Sequence, residues 1–176
     1  MKKAFSVEDC IQKLPNLVNG WPIAMTVLNV RSQGWPEYET QALTKHDGVK
    51  KQVIHFLPDS EDEASLTTLE QVKGCVVDVA VSANVLNQMT NLDEGLAELA
   101  HVPFETLVIQ IHEGNRSGKA SGTKKRNTYQ KNQPIEAYVR PVQQNFHRYD
   151  ITLHRADNCI VVTKGRKYYQ LDDTEV

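Results

Sequence analysis

Two groups of residues in this chain are of the right type and spacing to do chemistry. The first is His147, Asp150, His154 and Asp157. Successive side chains on a strand point to opposite faces, so Asp150 and His154 would share one face with Thr152 between them. Imidazole and carboxylate at that spacing suit a metal site or the acid–base pair of a nuclease. No third ligand stands at matching spacing, and a solvated polar face on an edge strand explains the cluster better. No catalytic residue and no metal ligand is therefore assigned. The second group is a matter of charge. Residues 114–140 hold Arg116, Lys119, Lys124, Lys125, Arg126, Lys131 and Arg140 against Glu136 alone, while residues 59–70 hold Asp59, Glu61, Asp62, Glu63 and Glu70 with no base. A net charge of −2 thus conceals one basic and one acidic segment, and a basic segment without acids implies an anionic partner.

Other chemistries are excluded by their missing signatures. Gly114, Gly118 and Gly122 follow an expected strand but precede no helix, so they form neither a phosphate loop nor a dinucleotide fingerprint. No serine stands in a nucleophile elbow, and a turn accounts for His46-Asp47-Gly48. No cofactor is implied, and the chain is not expected to be an enzyme. Cys10, Cys75 and Cys159 are too far apart for a zinc site or a disulfide framework. They point to a reducing compartment, the nucleus if the source is eukaryotic and otherwise the cytoplasm. Met1-Lys2-Lys3 resembles the start of a signal peptide, but Glu8, Asp9 and Gln12 interrupt the apolar region it requires. No later apolar run is long enough to cross a membrane, so an intracellular protein is expected.

The elements that must carry these residues read mostly as strands. With 176 residues, 40% hydrophobic and 24% charged, the chain has the composition of a folded domain with an extension. Ser6 caps a short helix in which Val7, Cys10, Ile11 and Leu14 repeat at helical spacing, and Pro15 ends it. Ile23 to Val30 is a nearly continuous apolar run, as expected of a central strand covered on both faces. Tyr38 to Lys45 and Val49 to Leu57 flank His46-Asp47-Gly48 and read as strands two and three of a hairpin. Ser65 to Val72 forms a brief helical turn, and the alternating Cys75 to Ser82 segment is a fourth strand. Asn91 caps a helix over residues 91–101, with Leu92, Leu96 and Leu99 on one side and Gly95 weakening it. Phe104 to His112 is the fifth strand. Residues 114–133 are a flexible loop, and the strands Ile135 to Arg140, Arg148 to Leu153, Cys159 to Thr163 and Arg166 to Leu171 make a small meander.

Five strands over residues 23–112, a hairpin, an acidic helical connector and Val72-Lys73-Gly74 leading into a valine-rich strand resemble the oligonucleotide-binding (OB) fold. The likeness is to the barrels of replication protein A and of telomere-end-binding proteins. It implies a mainly β, β-rich α+β protein: a five-stranded OB-type barrel with short helices and a C-terminal β-meander extension. The organisation is then a lead-in helix at 1–20, the barrel at 21–113, the basic loop at 114–134 and a β extension at 135–176 packed on the barrel. It further implies single-stranded nucleic-acid binding in genome maintenance, DNA favoured over RNA, by aromatic stacking and a basic loop. The residues assigned to that surface are Arg31, Trp35, Tyr38, Lys50, Lys51, His55, Arg116, Lys119, Lys124, Lys125, Arg126 and Tyr129. Trp35 serves equally well as a plug of the barrel end, and Lys50 and Lys51 as solubilising residues of an edge strand. An OB-like adaptor is the alternative, its protein partner held by the C-terminal strands or the 92–101 helix. A metal-dependent nuclease is the third reading.

Overall fold

A computed structural model describes residues 5–21, 24, 26–35, 51–122 and 129–164. Its six-stranded sheet has the order β2-β1-β3-β4-β8-β7. The strands are β1 (Thr26–Val30), β2 (Gln52–Phe56), β3 (Val79–Ala83), β4 (Thr106–Gln110), β7 (Tyr149–His154) and β8 (Cys159–Lys164). The intervening β5 (Ala120–Ser121) and β6 (Gln130–Lys131) pair with each other alone. β1 to β4 are mutually parallel, whereas β8 runs antiparallel to both β4 and β7. The helices are α1 (Val7–Leu17), α2 (Leu69–Lys73), α3 (Leu92–Ala100) and α4 (Glu136–Asn145).

The sheet lies between two helical layers, which is why its central strands are apolar on both faces. Val27, Val79, Val81, Val108 and Val161 face α1, meeting Cys10, Ile11, Leu14 and Trp21. The alternate residues Leu28, Ala80, Leu107, Ile109 and Ile160 face the other way, against Val72 of α2, Leu96 and Leu99 of α3 and Tyr138 and Val142 of α4. Ser6 and Asp9 form a reciprocal capping box at the start of α1. Pro15 does not end that helix, which continues to Leu17. So near the C-terminus, the missing N–H removes one bond to a helix already anchored by its buried face.

This architecture overturns the barrel. The described strands form an open mixed sheet, and β1 pairs with β2 in parallel, in a register that runs from Thr26↔Gln52 to Val30↔Phe56. Parallel neighbours need a crossover between them, and the Asp-Gly hairpin expected between the strands at 38–45 and 49–57 is a separate pairing. Its turn, and the strand expected at 38–45, lie outside the described residues. Gly74 follows the α2 helix as its C-cap, and the strand expected to start at Cys75 begins only at Val79. The strand expected at 135–140 is helical, because Ile135, Tyr138 and Val142 together bury one side of α4 in the core. The strands expected at 148–153 and 159–163 are present, but as β7 and β8 they complete the main sheet through the Gln110↔Cys159 register with β4. The last expected strand, at 166–171, lies outside the described residues.

Candidate functional site

All four parallel strands end on one edge of the sheet, and the chain's polar devices gather there. β1 leads to β2 on one side, and the chain then returns to β3 on the other side of β1. Between the carboxyl ends of β1 and β3 the outgoing connections therefore diverge. A crevice at such a switch point is where open α/β sheets bind ligands. Here it is a cleft of about 490 Å³. Ser6, Val7 and Glu8 line it from the start of α1, Gln33 and Gly34 from the loop after β1, and Ala83, Asn84 and Gln88 from the exit of β3.

Asn29 holds that loop in shape. The buried Asn29 accepts from Ser32 N at 2.9 Å through Oδ1 and donates to Ser32 O at 3.1 Å through Nδ2. Its Nδ2 also stands 3.0 Å from His55 Nδ1 on β2. Because Oδ1 is committed to an N–H, Nδ2 is the donor, so His55 Nδ1 accepts and the neutral ring carries its proton on Nε2. Burial lowers the His55 pKa, against a smaller opposing influence from Asp62. Ser32 Oγ accepts from Ala83 N at 2.9 Å, tying the β1 loop to the end of β3.

Arg31 and Asn84 stand at the two exits with φ of 63° and 59°, values that side chains other than glycine adopt rarely. Arg31 is held there by Glu98 of α3, with Nε to Oε1 at 2.6 Å and Nη2 to Oε2 at 2.8 Å. That hydrogen bonding raises the Arg31 pKa, outweighing its burial. Asn84 donates through Nδ2 to Phe5 O at 2.8 Å and accepts from Gln110 Nε2 at 3.2 Å.

Beyond β4 the chain forms the β5–β6 hairpin, and its foot is fixed to the same edge. Asn87 Nδ2 donates to Gln130 Oε1 at 2.7 Å, and Asn87 Oδ1 accepts from His112 N at 3.2 Å. Glu113, 7% exposed, accepts from Ile135 N at 2.7 Å and from Arg116 Nη2 at 2.7 Å, with Arg155 Nη2 at 3.2 Å. Burial opposes its ionisation, but the Ile135 N–H and the two guanidinium groups outweigh that and hold its pKa below the usual carboxylate value. Gly114 is required at this foot, since its φ is 61° and a Cβ would fall 1.8 Å from Asn132 Oδ1.

The residues assigned to a nucleic-acid surface are dispersed. Arg31 is engaged with Glu98 and Arg116 with Glu113. Trp35 is half-buried, edge-on to His55 with ring centroids 5.7 Å apart. Lys51 is 2% exposed and donates to Trp21 O at 2.7 Å and Ala24 O at 2.8 Å, at the opposite edge of the sheet. Lys119 is exposed and Tyr129 half-buried beside the hairpin. Tyr38, Lys50, Lys124, Lys125 and Arg126 lie outside the described residues. In the polar cluster of the C-terminal strands, Asp150 is exposed on the edge strand β7 and Asp157 pairs with Lys13 at 3.7 Å. Among the described residues no group of three or more His, Cys, Asp or Glu could hold a metal ion. The cleft residues Ser6, Glu8, Gln33, Gly34, Asn84 and Gln88 were not assigned to a functional site from sequence. The available signal was the spacing of the parallel strands, which begin at Thr26, Gln52, Val79 and Thr106, 26 or 27 residues apart, a repeat suited to βα units.

No protein-family model matches the sequence, and the curated proteins contain no match. Solved structures do match. The N-terminal domain of EvdMO1, solved in the presence of SAH (S-adenosylhomocysteine) and D-fucose, aligns with a TM-score of 0.54, 11% identity and coverage of 90% of this chain and 84% of that one. A Listeria monocytogenes protein described as an S-adenosylmethionine-dependent methyltransferase aligns with a TM-score of 0.56, 10% identity and coverage of 92% and 100%. Likeness at 10–11% identity shows the fold. Neither neighbour is an OB barrel, and the expectations of single-stranded nucleic-acid binding, of an OB adaptor, of a nuclease and of a protein without enzymatic activity are set aside with the barrel on which they rested. Among the described residues no helix is long and apolar enough to cross a membrane.

Proposed function

We propose that this chain binds S-adenosylmethionine in the cleft between the carboxyl ends of β1 and β3 and transfers its methyl group to a small molecule. The observation that carries the reading is the position of the cleft, at the switch point of a sheet whose solved neighbours include a described methyltransferase and a domain solved with SAH.

The composition of the cleft favours this cofactor over a phosphorylated one. A dinucleotide needs several glycines after the first strand so that the backbone can approach a pyrophosphate. Here the loop is Arg31-Ser32-Gln33-Gly34, with one glycine, and its arginine is turned to Glu98. Among the described residues no lysine, arginine or histidine lines the cleft, and Glu8 does. A ligand with positive charge and no phosphate fits those walls. When bound, the cofactor supplies an electrophilic methyl carbon: the acceptor's lone pair forms the new bond, the C–S bond breaks, its electrons remain on sulfur, and the acceptor's proton leaves to solvent. The protein's part is orientation. Gln33 and Gly34 wall one side, Asn84 and Gln88 the other, and Asn29, through Ser32, keeps the first wall in place.

Calorimetric titration with S-adenosylmethionine, SAH, NAD and ATP tests the reading. Dissociation constants of roughly 1–100 µM are expected for the first two and much weaker binding for the others. Absence of binding to both sulfur ligands, or tighter binding of NAD or ATP, would overturn it.

A further inference from the structure

β7 is the last strand of the described sheet, beyond β8. An edge strand presents a row of backbone N–H and C=O groups that can pair with another chain, and folded proteins blunt such edges with proline, lysine or a bulge. β7 uses none of these. Its sequence is Tyr-Asp-Ile-Thr-Leu-His, and its register with β8 runs unbroken from Tyr149↔Lys164 to His154↔Cys159. Beside its first half lies a groove of about 370 Å³, lined by Gln143, Phe146 and His147 from the end of α4 and by Tyr149, Asp150 and Ile151.

Side chains alternate along the strand. Tyr149, Ile151 and Leu153 pack on the margin of the core that α3 and α4 cover, which leaves Asp150, Thr152 and His154 on the other face. Asp150 and Thr152 are exposed there. Carboxylate, hydroxyl and imidazole stand at equal spacing, with the hydroxyl in the middle. A second copy of β7 laid antiparallel, Thr152 opposite Thr152, sets Asp150 of each copy opposite His154 of the other. Ile151 then meets Leu153 on the core side. An imidazole donates an N–H to a carboxylate whether it is neutral or charged, so two reciprocal pairs form.

Other registers lose both pairs. The smallest slide that keeps the faces matched is two residues. In one direction it sets Asp150 against Thr152 and His154 against Arg148, and in the other it sets His154 against Thr152 and Asp150 against Ala156. Charged side chains that would repel an arbitrary strand therefore complement their own copy, in one register. We propose that β7 is a self-complementary dimerisation strand, through which two copies of this chain pair about a two-fold axis at Thr152 and join their sheets into one. The cleft between β1 and β3 is separated from this edge by β4 and β8, so the inference is independent of what the cleft binds.

The test is sedimentation velocity of the full chain from about 1 to about 300 µM. A strand pair is a small interface, and a reversible dimer with a dissociation constant of roughly 1–100 µM is expected. Thr152→Lys opposes two ammonium groups across the axis, and Asp150→Lys opposes ammonium to imidazole. Each should weaken the dimer by about 10-fold or more, with the urea midpoint of the monomer unchanged because both positions are exposed. Asp150→Lys combined with His154→Glu reverses both cross-strand pairs and should restore most of the association. In the wild type, amide hydrogen exchange should slow in β7 as concentration rises. A chain that stays monomeric over the whole range, a dimer that neither single lysine variant weakens, or exchange in β7 that does not depend on concentration overturns the proposal.

Discussion

The two edges of the parallel sheet use their polar groups differently. At the amino edge they close the structure. Lys51 ties the residues ahead of β2 to the Trp21 and Ala24 carbonyls, with its ammonium 4.7 Å from the centre of the Trp21 ring. Asp78 accepts from Thr26 N at 2.8 Å through Oδ2, while its backbone N–H donates to Thr26 O at 3.0 Å and its carbonyl accepts from Thr106 N at 3.0 Å. Three strand starts are thereby joined. At the carboxyl edge the same kinds of group hold a gap open. The residues other than glycine described with positive φ, namely Arg31, Asn84, Arg116 and Asn158, all lie there. So does the Gln110 side-chain oxygen, which is buried without a hydrogen-bond partner among the described residues. Backbone strain gathered at one edge marks where a fold is shaped for something other than its own stability. On the proposed reading, one end of the sheet serves folding and the other serves binding.

The largest expected effect is at the amino edge. Lys51→Met removes the donor to two buried carbonyls and should lower unfolding free energy by about 2–4 kcal/mol, measured by urea titration, while SAH affinity of the folded protein stays unchanged. A large loss of affinity in that variant would break the division between the edges. Ser32→Ala acts at the carboxyl edge, leaving Ala83 N–H without its acceptor. About 1–2 kcal/mol of stability should be lost, and here ligand affinity should fall too, because the β1 loop is released from β3. The smallest effect is a pH dependence. His55 titrates below its ordinary 6.5 in the folded chain because burial disfavours its charged form, so the unfolded chain takes up the proton first. The stabilisation is complete above the unfolded value and is lost as pH falls through the folded one. Urea midpoints followed from about pH 7.5 to about pH 5 should decline in the wild type and decline less in His55→Gln, which cannot take up that proton.

Much of the element pattern was legible along the chain. Ser6 with Asp9, and Asn91 before Leu92, announce the starts of α1 and α3, because capping is settled within three residues. The apolar run ending at Val30 correctly indicates a strand buried on both faces. That signal was itself an argument for a parallel sheet, and it competed with the Asp-Gly turn, which argues for a hairpin. Local turn chemistry was given the greater weight, and the antiparallel barrel followed from it. α4 was missed for a related reason. Tyr138 and Val142 bury the same side of a helix only because α3 and the sheet are there to receive them, whereas Ile135, Tyr138 and Val139 taken alone favour a strand by propensity. Gly95 looked like a weakness of α3. In the fold a Cβ there would lie 2.5 Å from Met89 Sδ and 3.0 Å from Leu86 Cδ2, so the glycine lets the helix approach the turn after β3.

The candidate site was scarcely legible. Glu8, Gln33, Asn84 and Gln110 are ordinary polar residues on four separate segments, and nothing in their types or spacing joins them. By itself the sequence determined which stretches become helix or strand, where the caps fall and which side chains must leave water, because each of these follows from short-range geometry and apolar periodicity. Only the tertiary structure decided that β1 and β2 run in parallel and that their connections part at one edge. Strand order depends on how whole layers pack, and the cleft exists only once that order is fixed.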